Sequence, residues 1–254
     1  MIDIHSHILP GLDDGARSLN ESIEMARQAV QQGIHKVIAT PHHANGMYQN
    51  ELLLVRQSVL SLNTELQQQG IPLEVYTGQE IRMYRDLLDD LDRQLIETLD
   101  GSGYMLIEFP SGSIPSYTSE VFHELRINSI TPIIAHPERN VEITKNPEKL
   151  LELVEEGALS QVTAQSVSGG FGKSIQALSL ELCKHHLAHF IASDAHNMTN
   201  RPFGLAQAYQ QLGDKLGADY VDYFQNNAES VINHTSVQLN KPQWPKRKWF
   251  HFWK

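Results

Sequence analysis

Two imidazoles two residues apart carry the first chemical signal in this chain. In Met1-Ile2-Asp3-Ile4-His5-Ser6-His7 an apolar-alternating run bears His5 and His7. On a β-strand, residues i and i+2 share a face, so the two rings would project side by side. Two neutral imidazoles aimed at one point suit a divalent metal, although an isolated His-x-His pair is more often incidental than a ligand pair. What gives this one weight is the residues at the ends of later apolar runs. The first run leads into Leu12-Asp13-Asp14-Gly15, the second ends Thr40-Pro41-His42-His43, the third Gly78-Gln79-Glu80 and the fourth Ile107-Glu108-Phe109. The fifth ends Ala135-His136-Pro137-Glu138-Arg139-Asn140 and the seventh Ser193-Asp194-Ala195-His196, while the sixth offers only Thr163 and Gln165.

If the runs are parallel strands of one barrel, their carboxyl ends meet on one face, and six of seven deliver His, Asp or Glu there. So many carboxylates and imidazoles buried together would repel one another and lose hydration unless cations neutralised them. The donors are nitrogen and oxygen without sulfur, which favours Mn, Fe, Zn or Mg. Any one of these residues could instead cap a helix. Caps, however, have no reason to alternate with imidazoles on successive strands.

The elements that must position these residues follow a strand-then-helix cadence. The apolar runs are Ile2 to Ile4, Lys36 to Thr40, Leu73 to Gly78, Tyr104 to Phe109, Thr131 to Ala135, Ala158 to Thr163 and His189 to Ser193. They are short, rich in Val and Ile and continuously apolar, as parallel strands buried on both faces should be. Between them, Ser18-Leu19-Asn20-Glu21 has the pattern of a capping box opening a helix that stops at Gly33. Leu52, Val55, Val59, Leu62 and Leu66 fall at helical spacing before Gly70, and Leu88, Leu91, Leu95 and Leu99 do likewise. Asn146-Pro147 offers a cap and a first-turn proline for a helix through Val154, and Ile175, Leu178 and Leu182 mark another. The cadence predicts an α/β fold, a (β/α) barrel, in a single domain over residues 1–240.

Bulk properties narrow the class. Hydrophobic and charged fractions of 41% and 20% are those of an ordinary globular protein. The net charge of −10 argues against a nucleic-acid-binding surface. Cys183 is the only cysteine, which excludes an internal disulfide and a thiolate metal cluster. The start shows no basic segment followed by an apolar one, and no apolar run reaches the ~20 residues of a spanning helix, so a cytoplasmic protein is expected. Residues 241–254 form a tail of their own character, with all three tryptophans, five of the 20 Lys/Arg and no acid. It reads as a free end, as a weak, salt-sensitive contact with an anionic membrane surface, or as a contact with a partner such as an acidic kinase segment. Oligomeric state is left open.

In combination, Asp3-x-His5-x-His7, Thr40-Pro41-His42-His43, Gly78-Gln79-Glu80, Glu108-Phe109-Pro110, His136-Pro137-Glu138-Arg139 and Ser193-Asp194-Ala195-His196 resemble the polymerase and histidinol phosphatase (PHP) superfamily over nearly the whole chain. The opening His5 to Gly15 and the block His136 to Asn140 are similar, within it, to the bacterial protein-tyrosine phosphatases of the CpsB/YwqE type, encoded with capsule and exopolysaccharide kinases. The resemblance implies a distorted (β/α)7 TIM-like barrel and three divalent ions, Mn2+ first, with Fe, Zn or Mg as alternatives. It implies one ion held by His5, His7, Glu80 and Asp194, a second by Glu80, Glu108 and His136, and a third by Asp14, His42 and His196. Choosing Asp14 over Asp13 and His42 over His43 rests on the resemblance. Asp3 and His43 read as groups that orient ligands, or as core polar groups.

The implied activity is hydrolysis of phosphotyrosine on a bacterial tyrosine kinase and its substrates. A metal-bridging water, its pKa drawn towards ~7, would attack phosphorus in line. Arg139 and Arg201 lie just beyond ligand motifs, where a guanidinium could grip phosphate through two hydrogen bonds or form a salt bridge that orients a ligand. A thiol mechanism is disfavoured: the position six residues after Cys183, where thiol phosphatases carry a phosphate-binding Arg, holds His189. Two other functions compete. One is a small-molecule phosphatase acting on histidinol phosphate, which would need an enclosed pocket. The other is a non-catalytic metal-binding PHP module, which the complete ligand set and the acidic charge disfavour.

Overall fold

Residues 1–245 are described in a computed structural model. Among them, strands β1 (Ile2–Ser6), β2 (Lys36–Ala39), β3 (His42–His43), β4 (Glu74–Thr77), β5 (Glu80–Arg82), β6 (Tyr104–Glu108), β7 (Thr131–Ala135), β8 (Leu159–Thr163) and β9 (Phe190–Ala192) alternate with helices. The order β1-β2-β4 makes one sheet and β3-β5-β6-β7-β8-β9 the other, and every pairing within them is parallel. A parallel bridge joins Ser6 to Ala195, so β1 lies beside the segment that leaves β9. The α/β class with parallel strands expected from the sequence is therefore present.

Strand residues occupy each of the seven apolar runs, with β3 and β5 as short additions beyond the second and third. Thr40-Pro41 separates β2 from β3, and Gly78-Gln79 separates β4 from β5. Proline lacks the ladder donor. At Gly78 a Cβ would meet Ile38 Cγ2 at 2.7 Å and Leu99 Cδ2 at 2.9 Å, so only glycine allows that approach. The break has a consequence for the site: in the β3–β5 register His42 pairs directly with Glu80.

Buried apolar side chains form two clusters. One joins Val37, Val75, Met105, Ile107, Ile134, Val162 and Ile191 to the flanking helices. The other gathers Ile4, Ile38, Leu106, Ile133, Leu159 and Phe190 with Ala228, Val231 and Ile232 of the helix Ala218–Ile232. Strands buried on both faces explain why the runs read as continuously apolar.

The helices follow their signals with two corrections. Ser18 caps Leu19–Gln31 by accepting from Glu21 N at 3.3 Å, while Glu21 reaches back to Arg17 N at 3.0 Å. The leucines at 88, 91, 95 and 99 do not share one helix. Leu87–Asp92 stops where Gln94 turns left-handed (φ 58°), and Leu95 O instead accepts from Leu52 N at 2.8 Å. Pro147, not Asn146, stands at the cap of Glu148–Glu155, and Asn140 caps a separate turn, Val141–Lys145, through Glu142 N and Ile143 N. The helices Leu205–Leu216 and Ala218–Ile232 complete the fold.

The end of the chain is partly outside this description. Gln243 N donates to His185 O at 3.0 Å and the Trp244 ring meets the His185 ring edge-on at 5.6 Å, so the start of the tail lies against the body. Residues 246–254, on which the membrane and kinase readings of the tail chiefly rest, lie outside the described residues. Among the described residues no helix is long and apolar enough to cross a membrane.

Candidate metal centre

The strand ends converge. His5 Nε2 and His7 Nε2 face each other at 3.3 Å, and each lies 3.3 Å from Asp194 Oδ1. Glu80 Oε2 stands 3.5 Å from His5 Nε2 and 3.4 Å from His7 Nε2. Donor atoms of His5, His7, Glu80 and Asp194 thus fall within 4.8 Å of one another. His7, Asp14, His42 and His196 form a second such group, and His42, Glu80 and Glu108 a third. His136 Nε2 meets the other Glu80 oxygen, Oε1, at 2.7 Å. The resemblance assigns His136 to the ion of Glu80 and Glu108; here the grouping around Glu108 contains His42.

The outer nitrogens of three histidines are tied down, which leaves the inner ones aimed at the centre. His5 Nδ1 donates to Gln161 Oε1 at 2.8 Å, His7 Nδ1 to Asp13 Oδ2 at 2.6 Å, and His196 Nδ1 to Asp194 O at 3.0 Å. Asp13 also accepts from His42 N at 3.0 Å and Gly15 N at 2.9 Å, so it builds the loop while Asp14 turns to the cluster. Asp14 Oδ1 lies 3.5 Å from both His42 Nε2 and His196 Nε2. Gly15 is required here, because a Cβ would sit 2.1 Å from His7 O. His43 faces away, with Nδ1 donating to Asn50 O at 2.8 Å. Asp3 accepts from Ser193 N at 3.0 Å, tying β1 to the Ser193-Asp194 corner, and burial raises its carboxyl to about 6.

Backbone strain marks two of these positions. His136 (φ 33°) and Asp194 (φ 56°) adopt left-handed conformations that non-glycine residues rarely take. Such outliers persist where the surroundings fix them, commonly at functional sites. Here Asp194 N donates to His5 O at 2.9 Å and His7 N to Ala195 O at 2.8 Å, which lock the corner.

The residues fit divalent cations. Glu80 Oε2, Asp194 Oδ1, His42 Nδ1 and His196 Nε2 are buried with no hydrogen-bond partner. Even His42 Nδ1 and Glu80 Oε2, 2.9 Å apart, are not aligned to bond. Four orphaned polar atoms in one cluster would cost heavily without a cation. The electrostatics agree. Burial alone would push His5 and His7 down, yet Glu80 and Asp194 hold the first above its ordinary value, and Asp13 the second well above. Burial and the neighbouring Glu80 charge raise Glu108. The cluster demands positive charge.

Arg139 and Arg201 both reach this centre. Arg139 Nη1 lies 2.6 Å and Arg201 Nη2 2.5 Å from the same Asp194 Oδ2. A cleft of about 110 Å³ opens beside Arg139, lined also by Glu108, Phe109, Ser111, Ala135, His136 and Asn140. Sequence reasoning missed Gln161, although an amide in the middle of a fully buried strand, Leu159–Thr163, was a usable signal. It also missed Arg82, whose Nη2 pairs with Glu108 Oε2 at 2.9 Å.

Fold and site together define a parallel α/β protein with a candidate histidine–carboxylate metal centre at its strand ends. The sequence profile described as capsular polysaccharide synthesis, CpsB/CapC, matches residues 1–233, and the chain belongs to that family. It is 46% identical to the tyrosine-protein phosphatase YwqE of Bacillus subtilis, with 98% of each chain covered. It is 41% identical to the putative tyrosine-protein phosphatase CapC of Staphylococcus aureus, over 98% of this chain and 99% of that one. A crystal structure from a study of YwqE and the Streptococcus pneumoniae CpsB, described as unique metal-dependent tyrosine phosphatases, superimposes with a TM-score of 0.95 at 46% identity, covering 97% of this chain and 100% of that one. The resemblance drawn from the sequence motifs holds.

Proposed function

We propose that this chain is a metal-dependent protein-tyrosine phosphatase serving capsule or exopolysaccharide synthesis, acting on a phosphotyrosyl protein such as a bacterial tyrosine kinase. The observation that carries the reading is the convergence of Arg139 and Arg201 on Asp194 Oδ2 beside the ligand cluster. The full-length similarity to YwqE supports it.

In this reading the two sheets are halves of one distorted seven-unit barrel, with the Ser6–Ala195 bridge as its seam. His5, His7, Glu80 and Asp194 hold one ion; Glu80, Glu108 and His136 a second; Asp14, His42 and His196 a third, with Mn2+ the preferred metal. When bound, such ions lower the pKa of coordinated water towards ~7 and neutralise charge on phosphoryl oxygens. The chain's own residues do the rest. Arg139 and Arg201 exchange part of their hold on Asp194 for the phosphoryl oxygens, orienting the ester and offsetting its charge. Gln161 and Asp13 keep the His5 and His7 tautomers fixed. Arg82 holds the Glu108 carboxylate in place. The protein works in the cytoplasm, and residues 241–254 are a tail beyond the domain of residues 1–240, available to a membrane surface or kinase.

The small cleft favours a protein-borne phosphoryl group over histidinol phosphate, since enclosed small-molecule sites usually span ~300–1,000 Å³. The test is hydrolysis of a phosphotyrosyl peptide against histidinol phosphate and a phosphodiester, with and without Mn2+ and chelator. Turnover of the peptide alone, dependent on metal, is the expected result. Turnover of histidinol phosphate alone would replace this reading, and turnover of neither would favour a non-catalytic module.

A further inference from the structure

Most residues around the metal centre are histidines, carboxylates, arginines and amides; Phe109 is buried in the cleft wall, whereas Phe171 presents an exposed apolar ring at the edge beside Arg139. Phe171 is 37% exposed, and its ring centroid lies 5.3 Å from Arg139 Cζ. It sits in the turn Gly169-Gly170-Phe171-Gly172, where Gly169 (φ 87°) and Gly172 (φ 94°) are both left-handed. The turn is anchored to the site. Gly170 N donates to Gln165 O at 2.8 Å, and Gln165 Nε2 donates to Asn200 O at 2.9 Å, next to Arg201. A Cβ at Gly170 would press 2.5 Å from Gln165 Cγ, so glycine permits this packing. One connected path therefore sets Phe171 relative to both arginines.

We propose that Phe171 is the aryl-recognition residue, receiving the phenyl ring of a phosphotyrosyl side chain whose phosphoryl group Arg139 and Arg201 hold. This rests on the phosphatase reading above. Hydrogen bonds of ~2.8 Å from Arg139 to a phosphoryl oxygen bring the ester oxygen, and the ring attached to it, to the edge that Phe171 borders. Paired aromatic rings attract at centroid separations of ~4.5–7 Å, a range this position serves. An alkyl phosphate has no ring to place there. The half-buried Tyr48 instead lies nearly parallel to His42, at 6.1 Å and 8°, over a candidate ligand rather than beside Arg139 or Arg201.

The test separates recognition of the ring from support of Arg139. Phenylphosphonate and methylphosphonate are titrated calorimetrically into the Mn2+-reconstituted wild type and into Phe171→Ala, Phe171→Tyr and Tyr48→Leu. Expected for Phe171→Ala is a loss of about two- to tenfold in phenylphosphonate affinity, with methylphosphonate nearly unchanged. Phe171→Tyr restores the preference, and Tyr48→Leu keeps it. For a phosphotyrosyl peptide, KM rises in Phe171→Ala by a similar factor while kcat holds. Equal weakening of both phosphonates would make Phe171 a prop for Arg139 and overturn the inference, as would a phenyl preference lost only in Tyr48→Leu. A wild type that prefers phenylphosphonate but turns over no phosphotyrosyl peptide would leave the ring site standing and remove the phosphatase reading. Turnover with the phenyl preference intact in Phe171→Ala would do the reverse.

Discussion

Asp13 accepts a 2.6 Å hydrogen bond from His7 Nδ1 while its neighbour Asp14 faces the metal-binding cluster. Two adjacent aspartates thus divide two tasks, orientation and candidate ligation. Against the effect of burial, attraction to His7 and hydrogen bonds from His7, Gly15 N and His42 N draw the Asp13 carboxyl down to about 2, so it is ionised throughout the working range. Asp13→Asn preserves size but replaces a charged acceptor with an amide. Loss of such an orienting partner typically weakens metal binding ~10–100-fold. Calorimetric titration of Mn2+ should show this, together with a comparable loss from Gln161→Leu through His5.

The two arginines should not be equivalent to lysine. Each guanidinium neutralises Asp194 Oδ2, and in the proposed mechanism each passes to an incoming phosphoryl group. Removing one preorganised donor from a developing charge costs ~10²–10³ in kcat where it has been measured. Arg201→Ala and Arg139→Ala should each lower kcat/KM on a phosphotyrosyl peptide by about this range and weaken inhibition by inorganic phosphate. Lysine retains charge without the fork and should recover only part. An Arg139→Ala enzyme working at the wild-type rate would remove Arg139 from the mechanism.

The candidate ligands were legible in the sequence because their chemistry breaks the pattern around them. His42, Glu80, His136 and Asp194 each follow an apolar run and Glu108 stands near the end of one, and continuous apolarity announced strands buried on both faces. What decided the finer geometry was not local. The choice between Asp13 and Asp14 depends on Gly15, which lets the loop press against His7. The left-handed turns at His136 and Asp194 are enforced by contacts such as Asp194 N to His5 O, 189 residues apart in sequence. The leucines from 88 to 99 kept helical spacing across a break because Leu99 packs beside Gly78 rather than along a helix. Tertiary packing overrode a periodicity that was real but interrupted.

Chelation and thiol chemistry should have opposite effects. Cys183 is fully buried in the helix Lys173–Lys184, and burial pushes its thiol well above the ordinary range. A neutral, enclosed thiol is a poor nucleophile. Activity should vanish with a chelator, return with Mn2+, and survive alkylation of the native protein. Cys183→Ala should keep kcat/KM within about twofold while costing some stability through the small cavity it leaves. Activity that survives chelation but is lost on alkylation would overturn the metal mechanism.

His189 gives the fold a pH dependence of its own, away from the metal centre. It is 2% exposed, and its Nδ1 accepts from Ser160 N at 3.1 Å, which requires the neutral ring. Burial lowers its pKa to about 3 from 6.5, with a smaller push from His186. Between those values the unfolded chain binds a proton that the folded chain does not, so stability falls as pH drops from 6.5 towards 3. From pH 7 to pH 5 the loss should be about 2 kcal/mol. His189→Asn keeps an acceptor near Nδ1 but cannot titrate there. It should be less stable than wild type at pH 7, with the difference shrinking by about that amount at pH 5. Urea unfolding of both proteins in chelator, which removes the metal contribution, measures this directly. A gap between the two that does not change with pH would show that His189 takes up its proton in the folded protein.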